Sequence, residues 1–115
     1  MVLWIGFDLQ AEIEAGDGNN CTALHLAALN GKGAVAAQLL QAGASVSAVT
    51  DNGQTPLHWA AWNGKSSVAN QLLQVNACPT AVDKFGYSPA QLAKQNGQGY
   101  IAARLLEAEQ AAALK

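Results

Sequence analysis

Charge is scarce in this sequence. Lys, Arg, Asp and Glu make up 12% of its 115 residues, about half the usual share, and neither sign forms a run. Six basic residues against eight acidic ones leave a formal charge of −2. That balance gives no electrostatic footprint for nucleic acid and no attraction to an anionic membrane surface. His, Cys, Asp and Glu nowhere cluster at metal-ligand spacing, so neither a metal nor another cofactor is expected. The opening MVLWIGFDL is apolar, but it has no basic lead and no cleavage site and meets Asp8 early. It reads as neither a signal peptide nor a membrane span, and a cytoplasmic location is the default expectation. Asn20-Cys21-Thr22 matches a glycosylation sequon, a chance match if no secretory signal is at work.

What the sequence has is a repeat. TPLHWAAWNG at residues 55–64 returns upstream as TALHLAALNG at 22–31 and downstream, with drift, as SPAQLAKQNG at 88–97. The period is 33 residues both times. Residues 17–49 and 50–82 share 18 identities, and 50–82 and 83–115 share 8, where unrelated segments would share roughly two. A fixed period of this size marks a solenoid. Cys21 and Cys78 fall at different places in their repeats and nearly two repeat spacings apart. A disulfide needs Cα atoms within about 7 Å, so both are expected to be thiols.

The decamer also says how a unit is built. Thr55 can offer its hydroxyl to an unpaired amide of a first helical turn, and Pro56 suits the first helical position, where a missing N–H costs nothing. Leu57, Ala60 and Ala61 supply a narrow apolar face, and Asn63-Gly64 supplies a left-handed stop. A second apolar pattern (Val68, Ala69, Leu72, Leu73) follows with helical spacing. Each unit is thus a helix pair, with helices expected over 22–29 and 33–41 in the first full repeat. Gly43, and Asn76 one period later, take the left-handed position after the second helix. No breaker appears at Glu109, so the last helix should run on over 99–114.

TPLHxAAxxG, a second helix ending in LL and a GAxVxA-like loop resemble the ankyrin repeat, whose period and T-P-L-H-x-A signature match. The resemblance implies an all-α solenoid of helix-turn-helix repeats with β-hairpin finger loops, forming one domain: an N-terminal half repeat or cap at 1–16, repeats at 17–49 and 50–82, and a third repeat or C-terminal cap at 83–115. Asp51-Asn52-Gly53 would mark a finger, because Asn-Gly is a strong hairpin signal; Asn19-Asn20 and Phe85-Gly86 mark its neighbours. In the third repeat Gln91, Lys94 and Gln95 replace His, Ala and Trp, polar changes expected of a cap. The position at which many ankyrin repeats carry a hydroxylatable Asn is Glu14, Ser47 and Thr80 here, so that modification is not expected.

His25 and His58 recur three residues after Thr22 and Thr55. A metal or acid–base pair would need converging partners, and none is spaced for it. In the resembled family the Thr and His side chains hydrogen-bond to hold adjacent repeats, so Thr22, His25, Thr55, Pro56 and His58 are expected to be structural. Cys21 near His25 lacks an oxyanion donor and an orienting carboxylate, and no catalytic residue is expected. Trp59 is expected to be structural too, a core residue between the two helices of its repeat. Trp62 shares its position with Leu29 and Gln95, which the resemblance places on a concave surface. With the finger residues Asn52, Gln54, Phe85 and Tyr87, and flanked by Asn19, Asn30, Asp51, Asn63 and Lys84, it forms the expected partner-binding face. Trp and Tyr suit such a face because they bury much area at little entropic cost. Lys32 and Lys65 read as a solvated turn.

The resemblance implies a non-catalytic protein–protein interaction module for another protein through groove and fingers, with no nucleic-acid or membrane partner. The alternative is structural self-association, as a weak homodimer or a subunit of a larger assembly, through the apolar N-terminal face with Trp4 and Ile5. Stability in a solenoid sums over repeats and their interfaces. Deleting residues 1–15 is therefore expected to lower the melting temperature clearly in a circular-dichroism melt; an unchanged melt would mean that the segment does not dock.

Overall fold

The short apolar helices cannot bury themselves alone, so they stack. The computed structural model describes residues 21–113, and in them six helices: α1 Ala23–Asn30, α2 Gly33–Gln41, α3 Pro56–Asn63, α4 Ser66–Gln74, α5 Pro89–Gln95 and α6 Gly99–Ala113. The expectations that rest on Trp4, Ile5, Asn19 and the 1–16 segment lie outside the described residues. The inner helices α1, α3 and α5 pack on one another in order, and each packs on its own outer partner α2, α4 or α6. Leu24, Leu57, Val68, Leu72 and Leu105 are fully buried between the layers. Alanines, among them Ala28, Ala60, Ala61 and Ala93, let the helices approach closely.

Each inner helix is closed at both ends by local chemistry. Thr22, Thr55 and Ser88 cap α1, α3 and α5, and each accepts from the backbone N–H of the residue three further on. That residue returns the bond: the ring Nδ1 of His25 and His58, and Oε1 of Gln91, accept from the N-cap backbone N–H. This is a capping box with imidazole in the place usually held by Glu or Gln. Gly64 ends α3 at φ +70°, a conformation that disfavours a side chain. A Cβ there would stand 2.5 Å from the Gln98 side chain, just as one on Gly31 would stand 2.9 Å from Lys65 Cδ. Lys65 and Gln98 therefore lie over the terminal glycine of the preceding repeat, which corrects the reading of Lys65 as a merely solvated turn residue.

The fingers close as hairpin-like turns. Thr50 N–H donates to the Gln54 carbonyl at 3.0 Å, Asp83 N–H to Tyr87 at 2.9 Å, and Lys84 N–H to Asn52 of the neighbouring finger at 2.8 Å. A second main-chain bond closes each finger tip, Gly53 N–H to the Thr50 carbonyl at 2.8 Å and Gly86 N–H to the Asp83 carbonyl at 3.0 Å. No strand forms among the described residues, because each finger is only five residues around a tight turn.

The repeats are tied by the same histidines. His25 Nε2 lies 2.7 Å from the Gln54 carbonyl and His58 Nε2 2.9 Å from that of Tyr87, each 29 residues downstream. A carbonyl only accepts, so Nε2 carries the proton and Nδ1 the lone pair. Both rings are fully buried. Replacing His58 by Ala removes the cap and the tie together and orphans two backbone groups; we expect a loss of about 3 kcal/mol in denaturant unfolding. His58→Gln, which can restore the cap as Gln91 does, is expected to lose roughly 1–2 kcal/mol.

Candidate functional site

The ties fix each finger to the inner helix of the preceding repeat, and the space between becomes a groove. Its volume is about 430 Å³, within the range of ligand-sized clefts. Leu29, Gln54, Trp62, Asn63, Phe85 and Tyr87 line it, together with His58, Trp59, Asp83, Leu92 and Gln95. The first six were singled out in the sequence as partner-binding. Asn30, Asp51, Asn52 and Lys84 are exposed but do not line it: Asn30 is turned back onto the Leu26 carbonyl, and the others sit in the finger turns. Asn19 lies outside the described residues.

Trp62 is 42% exposed and Phe85 62%, although both are large and apolar. They are open because they project from the end of α3 and from a finger tip, where the next helix has no side to cover them. Trp59 is half-buried rather than sealed between the helices of its repeat. Its ring stands edge-on to His25, centroids 5.3 Å apart at 69°, and its Nε1–H donates to Gln54 Oε1 at 3.0 Å. The indole is therefore a wall of the groove.

Asp83 went unnoticed in the sequence and organises the finger. Its Oδ1 accepts from the Phe85 and Tyr87 amides, both at 2.9 Å, and its Oδ2 accepts from Gln54 Nε2 at 3.1 Å. Since an indole only donates and a carboxylate only accepts, Gln54 is held in one orientation between Trp59 and Asp83. In the preceding finger Thr50 has this role, its hydroxyl accepting from the Asn52 and Gln54 amides. The signal was there: positions 50 and 83 are one period apart, and each can accept a bond from the backbone two residues on. Burial pushes the Asp83 carboxyl up, but the Tyr87 amide, the Gln54 side chain and the Phe85 amide outweigh it and hold it below its ordinary value.

Both His58 nitrogens are committed, and burial holds its pKa below the ordinary histidine value. Among the described residues no three His, Cys, Asp or Glu side chains converge as metal ligands. Cys21 is buried and Cys78 exposed, with no disulfide between them.

Comparison with known families matches the model of ankyrin repeats (3 copies) over residues 3–83. The chain belongs to the ankyrin repeat family. No curated protein matches it. Ankyrin repeats are generally protein–protein interaction modules and typically non-catalytic. The family match ends at Asp83, in the finger before the departures at Gln91, Lys94 and Gln95, yet α5 and α6 continue the stack with the same kind of cap and packing. No helix among the described residues is long and apolar enough to cross a membrane.

The depressed pKa values give the ankyrin stack an acid limb. As pH falls below about 6.5, the unfolded chain takes up a proton at His58 that the folded chain resists, so stability declines through that window. From about 3.8 downward Asp83 adds a second decline in the same sense. We expect the melting temperature to fall between pH 7.5 and 5.5 and His58→Gln to reduce that slope; an identical slope in the variant would show that His58 does not carry it.

Proposed function

We propose that the chain binds a partner protein by seating a segment of it in the groove between the inner helices and the fingers. The observation that supports this reading is the convergence of Trp62, Phe85 and Tyr87 on one groove that Leu29, Trp59 and Leu92 also line. Three large rings are each at least 38% exposed there, in a protein with little charge to offer elsewhere. Rings of this kind release much apolar surface from water on contact and lose few rotamers in doing so. The polar groups of the wall are already paired among themselves, Trp59 with Gln54 and Gln54 with Asp83, so the groove is shaped before a partner arrives and binding orders little of it.

The test is capture of partners by the wild type beside Trp62→Ala, with a photo-cross-linking residue at position 62 in a third sample. A direct partner is expected to cross-link from position 62 and to lose roughly 1–3 kcal/mol of affinity in the Ala variant, measured by calorimetry, with helicity unchanged. Equal affinity at equal helicity would remove Trp62 from the interface.

A further inference from the structure

The groove's lining is selective in kind. Among the described residues that line it are four aromatic side chains, Trp59, Trp62, Phe85 and Tyr87, and one formal charge, the carboxylate of Asp83, and none of them is Lys or Arg. The three bonds that Asp83 accepts come from neutral amides, which stabilise the anion without cancelling it. His58, also in the lining, donates its Nε2–H to the Tyr87 carbonyl and accepts from the Thr55 amide at Nδ1; burial lowers its pKa, although the Asp83 charge acts in the opposite sense. Asp83 is only 6% exposed; its Oδ2 accepts from Gln54, and a carboxylate oxygen can accept a second bond.

Aromatic faces carry negative potential and attract cations, so rings and carboxylate act in the same sense. A partly closed apolar groove makes the visitor shed water. An ammonium is compact and strongly hydrated, whereas a guanidinium is planar, weakly hydrated, stacks on rings and donates from its edge to a carboxylate. We infer that the groove is an arginine subsite: the partner segment inserts an arginine side chain, stacked on the exposed rings with its edge toward Asp83. This deepens the groove reading above and rests on it.

The probe is the peptide acetyl-Gly-Ser-Arg-Ser-Gly-amide, beside versions with citrulline, lysine or leucine at the centre, titrated into the ¹⁵N-labelled chain. Citrulline keeps the shape and removes the charge. The arginine peptide is expected to shift the Trp62 indole and the Phe85 and Tyr87 amides, and to bind at least tenfold more tightly than citrulline. Trp62→Ala and Asp83→Asn should each weaken it about fivefold or more. Asn keeps an acceptor for the finger amides; if the finger nevertheless loosens, raising salt from 50 to 500 mM with the wild type gives an independent reading, since only a charge-driven contact weakens markedly. Equal binding by citrulline or leucine at Trp62 would overturn the arginine subsite and leave the groove reading standing. Equal binding by lysine would overturn the choice of guanidinium. No shift of Trp62 by any peptide would also overturn the subsite, while cross-linking from position 62 decides the groove reading separately.

Discussion

A neutral imidazole that faces two ways holds this stack together. In His58 the lone pair of Nδ1 closes the cap of its own helix, and the proton on Nε2 reaches the carbonyl of Tyr87 in the next finger; His25 does the same one repeat earlier toward Gln54. The ring is buried, so neither bond competes with water, and leaving either partner unpaired would carry the full cost of a buried orphan. Because one ring serves both the helix start and the neighbouring finger, helix and finger cannot move independently. The groove is the space that this fixed distance leaves.

The fingers depend on that constraint as well. A turn closed by two main-chain bonds has little stability of its own, and the polar side chain at its base compensates: Thr50 and Asp83 each gather two amides of their loop. Gln54 then links the second finger to the first through Asp83 and to the inner helix through Trp59. The wall of the groove is thus a chain of satisfied polar groups, and the rings that stand free of it, Trp62 and Phe85, are supported by it without belonging to it. Outside the groove, the outer helices are joined by lighter contacts. Gln71 donates to the Gly33 carbonyl at 3.0 Å and Arg104 to Asn70 at 3.3 Å, and the exposed Arg104–Glu107 pair contributes little.

Most of the helical architecture was legible residue by residue, because what starts and stops these helices is local. Thr55, Pro56 and Gly64 act within one turn of themselves, and so the outer helix Gly33–Gln41 falls where its apolar spacing put it. The left-handed Gly43 and Asn76 follow from the same local rule. The misreadings share a different cause. Lys65 lies over Gly31, and Trp59 meets His25 34 residues away; the finger bases act through backbone amides, which are the same in every sequence. Trp59 looked like core because its equivalents are leucines, of which Leu92 is buried while Leu26 is 45% exposed. Periodicity equates positions whose surroundings differ along the stack.

By itself the sequence determined the period, the caps, the helix lengths and the side of each helix that is apolar, since these depend on which side chain stands where within a few residues. Which groups meet across repeats only the tertiary structure decided. The acceptor of the His58 proton is a main-chain carbonyl, and any residue at position 87 would present one. The orientation of Gln54, the half-burial of Trp59 and the placing of the Asp83 carboxylate in the groove follow from how far apart consecutive helix pairs settle. That distance is set by the alanines between them and by the histidine tie, and no short window of residues contains both.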